Sequence, residues 1–82
     1  MIYPLITIDK DTPIERAIKR ELQRAGVHFA TQETLFDQSI QYSVFSSPDY
    51  YKARLVLYHA LNPRDRDRLH GHPRDQAKGA SQ

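Results

Sequence analysis

Closely spaced histidines raise the first chemical question in this sequence. His70 and His72 lie two residues apart in the stretch PRDRDRLHGHPRDQ, residues 63–76. A zinc site needs three or four nitrogen, oxygen or sulfur ligands. Other candidate ligands are His59, Asp67 and Asp75. The spacing matches no common zinc pattern, so we interpret the pair as exposed neighbours of a chain reversal and predict neither a metal site nor a cofactor.

A second possible ion site follows the first apolar segment. Asp9 and Asp11 lie two residues apart where a strand is expected to end, and Glu33 or Asp37 could add a third carboxylate. Carboxylate oxygens bind Mg²⁺ well, and such a site could support hydrolysis of phosphate esters. Asp9 and Asp11 are also common residue types at turns and helix entries, and the sequence places no lysine or histidine to complete a catalytic set. We therefore predict no catalytic residues and no enzyme, with a metal-dependent phosphate-ester hydrolase as a minor alternative.

Basic residues recur at a spacing that could serve phosphate binding. Three arginines follow one another every four residues, and a lysine lies beside them: Arg16, Lys19, Arg20 and Arg24. On a helix they would form one stripe that can contact a nucleic acid backbone. Residues 1–61 carry seven basic and seven acidic side chains, whereas residues 62–82 carry five and three, so the net charge of +2 comes from the C-terminal part. Nucleic-acid binding through the stripe and the basic tail is the alternative function.

Aromatic residues exceed what a small core needs. The chain has five Tyr and three Phe in 82 residues, and a domain of this size buries only roughly 60–65 % of the surface of its unfolded chain. Tyrosine is enriched where proteins dock. We expect Phe29, Phe36 and Tyr58 to pack in the core and four other rings to contact a partner. These four are Tyr42, Phe45, Tyr50 and Tyr51.

Helices must position these side chains, and three helix starts share one design. Each combines a capping residue, a proline and an acidic residue: TPIE at 12–15, SPDY at 47–50 and NPRD at 62–65. The first predicts a helix over 13–25 with a capping box between Thr12 and Glu15. The second predicts a helix over 48–61 that is apolar nearly all round and therefore covered on most sides. The third predicts a short helix near 63–70.

Three other segments predict strands. They are residues 2–8, 27–33 and 40–45, the last with Ile40, Tyr42 and Val44 opposed to Gln41, Ser43 and Phe45. The order β-α-β-β-α implies a parallel pair joined by a crossover and then an antiparallel strand. We predict an α+β two-layer sandwich with a three-stranded mixed sheet and two helices on one face, close to a ferredoxin-like plait without a clear fourth strand. Residues 1–70 would form one domain, and 71–82 a polar, partly disordered tail.

One segment carries a family resemblance. The stretch YSVFSSPDYYKARLVLYHALN, about a quarter of the chain, resembles the joint between the third strand and second helix of an RNA-recognition motif. In that family the strand carries aromatic rings on which bases stack. The Lys/Arg-Gly start of that strand is replaced here by Ser39-Ile40-Gln41. The resemblance therefore informs the fold alone.

The remaining features bound the leading function. The chain has no cysteine, which excludes disulfides and thiolate zinc sites and favours the cytoplasm. The N-terminal MIYPLITI is too short to span a membrane, so we expect no membrane association. We predict a small non-catalytic binding domain that acts as an adaptor, inhibitor or subunit on another protein, or on itself as a homodimer. The expected docking surface is the sheet face that the helices leave open.

Overall fold

Six elements follow one another in a computed structural model that describes residues 1–70. They are β1 (Tyr3–Asp9), α1 (Pro13–Arg24), β2 (Phe29–Glu33), β3 (Ser39–Val44), α2 (Ser47–Ala60) and α3 (Pro63–Arg66). Every predicted helix and strand is present, and the main difference in length is at α3, which ends at Arg66 rather than near residue 70. The predicted tail, residues 71–82, lies outside the described residues.

The sheet is antiparallel throughout, with β3 in its centre. Its order is β1-β3-β2, and β3 pairs antiparallel with both neighbours. The prediction of a mixed sheet is therefore wrong. The strands β1 and β2 run parallel to each other, but β3 lies between them, so they do not pair. The α+β architecture itself is confirmed. Pro4 lies in the edge strand β1, a position where proline is tolerated, and the register with β3 shifts between Pro4 and Ile6.

The chain after α3 returns to the free edge of β1. Leu69 forms an isolated antiparallel bridge with Ile6, and the His70 N–H donates to the Leu5 carbonyl at 2.8 Å. Within the described residues this is the only trace of a fourth strand. Because Leu69 is also buried, the bridge fastens the end of the described chain to the core.

The helix starts follow from local capping. Thr12 accepts a hydrogen bond from the Glu15 N–H at 3.2 Å. In α2 the cap is Ser46, one residue earlier than the SPDY pattern suggests, and it accepts from the Asp49 N–H at 3.3 Å. Just beyond α1, Gly26 has φ +73°, a left-handed conformation that a side chain would strain.

The core lies between one face of the sheet and the two main helices. Cross-strand partners share a face, so Ile6 and Tyr42, like Ile8 and Ile40, point together towards the helices. The helices contribute buried side chains from their inner faces: Ile18 and Leu22 on α1, and Tyr50, Ala53 and Leu57 on α2.

Candidate docking surface

The open face of the sheet is polar rather than aromatic. Tyr42 is fully buried because alternation along β3 directs it to the helices. Thr7, Gln41 and Ser43 occupy the opposite face, and Phe45 follows the end of β3 and is half-exposed. The prediction that Tyr42 contacts a partner is therefore wrong, and the open face lacks the expected aromatic patch.

Tyr42 instead forms a buried hydrogen bond with Glu15. Its hydroxyl donates to Oε2 of that carboxylate, while Oε1 accepts from the Asp11 N–H at 3.2 Å. In the predicted capping box, the Glu15 carboxylate therefore accepts from the N–H of Asp11 rather than from that of Thr12. Burial raises the pKa of Glu15, but the hydrogen bonds from Tyr42 and Asp11 and the nearby charges of Lys19 and Arg16 lower it, and the net pKa is lowered. The pKa of Tyr42 is raised, first by burial and then by its bond to Glu15.

Tyr50 is also buried, contrary to its predicted role in partner binding. Its hydroxyl donates to the His70 carbonyl at 2.9 Å, and its ring packs against Tyr3 with centroids 5.8 Å apart. The inner face of α2 directs Tyr50 into the core. Of the four rings predicted to bind a partner, only Tyr51 and Phe45 remain exposed.

Helix α2 exposes a second row of apolar side chains. Tyr51 is 63 % exposed, Leu55 61 % and Tyr58 41 %, and the spacing i, i+4, i+7 places them on one face. The predictions that α2 is covered on most sides and that Tyr58 lies in the core are wrong, because the sheet and α1 cover only its other faces. We call the depression of about 280 Å³ that is lined by Tyr51, Arg54, Leu55 and Tyr58 the α2 groove.

The α2 groove contains a buried cation. Arg54 is only 9 % exposed, and none of the described residues accepts a hydrogen bond from its Nε. Its guanidinium carbon lies 5.8 Å from the centroid of the Tyr50 ring. A buried donor without an acceptor costs free energy, so Arg54 is favourably placed to receive an acceptor from outside the described chain.

A second cation lies at the C-terminal end of the groove. The Arg66 guanidinium carbon is 4.1 Å from the centroid of the Tyr58 ring, and its Nε donates to the Tyr58 carbonyl at 2.7 Å. No acidic side chain is among the groove-lining residues of the described chain. The α2 groove is thus apolar with positive charge at its base and end, which suits an apolar group that carries a nearby carboxylate.

The connection between β2 and β3 projects an apolar pair. Leu35 is 92 % exposed and Phe36 100 % exposed, so the prediction that Phe36 packs in the core is wrong. The two residues lie in the turn beyond the sheet, where neither helix covers them. We call Leu35, Phe36 and Asp37 the hairpin tip.

Hydrogen bonds hold the hairpin tip in shape. Asp37 Oδ1 accepts from the Thr34 hydroxyl, from the Ser39 hydroxyl at 2.8 Å and from the Ser39 N–H at 3.2 Å. The bonds from Thr34 and then Ser39 lower the pKa of Asp37. Gln38 has φ +54°, and its carbonyl accepts from the Lys10 N–H at 2.9 Å, which ties the turn to the loop after β1.

Two of the residues considered for metal binding, Glu33 and His70, have other contacts. Within residues 1–70, no three His, Asp or Glu side chains come together in a way that could hold a metal ion. Glu33 pairs with Lys10 at 3.0 Å, and the His70 ring lies 3.0 Å from the Thr7 hydroxyl. His72 and Asp75 lie outside the described residues.

The basic stripe on α1 is exposed but partly paired. Glu21 Oε2 lies 3.9 Å from Arg20 Nε and 3.5 Å from Arg24 Nη1. Arg16 and Lys19 are exposed as well. The structure therefore brings the four cations to one helix surface, together with an acid that offsets two of them.

Comparisons of the chain with protein-family models, curated proteins and solved structures gave no match. Among residues 1–70, no helix has the length and apolar character needed to cross a membrane. Function is therefore inferred from the geometry of the α2 groove and the hairpin tip.

Proposed function

We propose that this chain is a small non-catalytic binding domain that docks on protein through the α2 groove, as an adaptor, inhibitor or subunit. The observation that carries the proposal is Arg54, a buried arginine with an unsatisfied Nε inside an exposed row of apolar side chains. Aromatic residues and arginine are the types most often found at the centre of protein interfaces.

The chemistry of the groove defines its ligand. Tyr51, Leu55 and Tyr58 offer apolar surface to a side chain of similar character, and burial of apolar surface drives association. Arg54 Nε has no acceptor among the described residues, and a carboxylate gives a strong, charge-assisted hydrogen bond to a guanidinium. The ligand we propose is a protein segment with a large apolar side chain next to Asp or Glu.

The chain's own C-terminal segment is a poor occupant. Residues 71–82, GHPRDQAKGASQ, contain no Leu, Ile, Val, Met, Phe, Tyr or Trp. Such a segment has little apolar surface with which to fill the groove. A segment from another molecule fits the groove better.

A peptide-display selection tests the proposal. Short peptides would be selected on the intact chain and counter-selected on Leu55→Glu, which replaces an exposed apolar side chain and places a carboxylate beside Arg54. We expect enrichment of peptides with an aromatic or large aliphatic residue next to an acidic one. Backbone amide NMR shifts with an enriched peptide should be largest around Tyr51, Leu55 and Tyr58.

A charge-matched variant controls this selection. Gln23→Glu adds the same charge to an exposed position on α1, away from the groove, and should leave peptide binding unchanged. The proposal would be overturned if every recovered peptide bound the Leu55→Glu variant as tightly as it bound the intact chain.

A second candidate function is nucleic-acid binding. The exposed surface of α1 with Arg16, Lys19, Arg20 and Arg24 favours it, because clustered cations attract phosphates. Glu21 offsets part of this charge. We therefore place this function second.

A further inference from the structure

We propose that the partner of the α2 groove is the hairpin tip of a second copy of this chain, with Phe36 entering the groove and Asp37 pairing with Arg54. This inference rests on the proposed function, because it names the segment that the groove binds. It predicts a head-to-tail association in which one copy supplies the groove and the other the tip.

Size and polarity match between the two surfaces. A cavity of about 150 Å³ can hold a benzene molecule, and the α2 groove has about 280 Å³. Phe36 is completely exposed, so it packs against none of the described residues of its own chain. Entry into the groove would bury its ring against Tyr51, Leu55 and Tyr58, which are themselves exposed in the single copy.

The charges of the hairpin tip and of the α2 groove are also complementary. Asp37 directly follows Phe36, and only its Oδ1 is engaged by hydrogen bonds within the described residues. Its second oxygen, Oδ2, can therefore accept from a guanidinium without loosening the turn. Arg54 provides that guanidinium at the base of the groove.

The hairpin tip is held by the bonds of Thr34, Ser39 and Lys10 before any partner arrives. A rigid segment loses less conformational entropy on binding than a mobile one does. A fully exposed ring on a restrained turn is the arrangement expected of an interface anchor.

A symmetric dimer through two facing α2 grooves fits the charges less well. It would bring Arg54 and Arg66 of both copies together, and no acidic side chain lines the groove in the described residues. The head-to-tail contact instead pairs each buried arginine with a carboxylate.

The positions of the two surfaces determine the form of the assembly. The α2 helix packs over β1 at one edge of the sheet, and the tip closes the hairpin that includes β2 at the other edge. Each associated pair therefore retains one unoccupied groove and one unoccupied tip. Such heterologous contacts form growing chains or rings rather than closed dimers.

Two surface variants provide the test. Phe36→Ser removes the aromatic ring of the hairpin tip and leaves the α2 groove intact. Leu55→Glu blocks the groove and leaves the tip intact. Both positions are exposed, so both variants should fold. Molar mass would be measured by light scattering and sedimentation from about 10 µM to about 1 mM, a range in which small interfaces dissociate.

We expect the intact chain to grow beyond the mass of a dimer as its concentration rises. Each variant alone should stay monomeric. An equimolar mixture of the two should associate and stop at the mass of one pair, because only one intact interface can form. Asp37→Asn, which keeps the turn's acceptor oxygen but loses the charge, should weaken association of the intact chain about tenfold.

Two outcomes would overturn the inference: an intact chain that is monomeric at every concentration, or a Phe36→Ser variant that still associates alone. The first outcome, together with recovery of peptides that need Leu55, would leave the proposed function standing with a different partner. Absence of such peptides would contradict the proposed function itself.

Discussion

The hydroxyl of Tyr42 on β3 donates a hydrogen bond to the carboxylate of Glu15 on α1 inside the core. Because a buried carboxylate is costly unless it is hydrogen-bonded, this contact makes the first turn of α1 depend on the central strand. Tyr42, a ring predicted to bind a partner, is instead fully buried and bonded within the core.

Loss of this bond should destabilise the fold. Tyr42→Phe leaves Glu15 buried with one acceptor oxygen unpaired, and we expect the free energy of unfolding to fall by about 1–3 kcal/mol. Urea denaturation of Tyr42→Phe, Glu15→Gln and the double variant would give the coupling free energy, which we expect to be at least about 0.5 kcal/mol. Tyr51→Phe, at an exposed position, is the control and should change stability by less than about 0.5 kcal/mol. A coupling free energy near zero would show that the two residues act independently.

The same pair should make stability depend on pH. The pKa of Glu15 is lower in the folded chain than its ordinary value of 4.5. A lowered folded pKa means that the ionised carboxylate contributes stability above pH 4.5 and that this contribution is lost as the pH falls through the folded pKa. We therefore expect the stability difference between the intact chain and Glu15→Gln to shrink in that acidic range. A carbon-detected NMR titration should place the midpoint of Glu15 below 4.5, and a midpoint above it would contradict the assignment.

Local signals in the sequence predicted most of the elements. Capping residues such as Thr12 act on the next few N–H groups, and alternation along β3 correctly separated Tyr42 from Phe45. The central place of β3 was not predictable from these signals, because strand order depends on contacts between residues far apart in the chain. The early end of α3 has a similar origin, since Leu69 is fixed by its bridge to Ile6.

The docking surface was harder to predict than the fold. Helical spacing indicated that α2 is apolar on several faces, but it could not say which face the sheet and α1 would cover. Leu55 was therefore missed, although its i, i+4, i+7 spacing with Tyr51 and Tyr58 was visible beside the inner row. Phe36 was assigned to the core on its residue type alone, and its place in a projecting turn overrode that preference.

The edge bridge at the end of the described chain should contribute measurably to stability. Leu69 is buried beside β1, so we expect Leu69→Ala to lower the free energy of unfolding by about 2–5 kcal/mol. Leu55→Ala makes the same chemical change at an exposed position and should cost less than about 0.5 kcal/mol. Chemical denaturation of both variants gives the comparison. Similar losses for the two would show that Leu69 does not help to hold the core.

The alternative function depends on the charge balance of α1. Glu21 offsets Arg20 and Arg24, so we expect single-stranded DNA to bind weakly and with a shallow salt dependence. Glu21→Gln should free both arginines, strengthen binding and steepen the fall of affinity with salt by about one to two units of log–log slope. Changing Arg16, Arg20 and Arg24 to Glu should abolish the mobility shift, whereas Gln23→Glu on the same helix should reduce it only slightly. If neither the intact chain nor Glu21→Gln gave a mobility shift at low salt, nucleic-acid binding by this surface would be eliminated. Low salt and the loss of the Glu21 charge are the conditions in which the four cations attract phosphates most strongly.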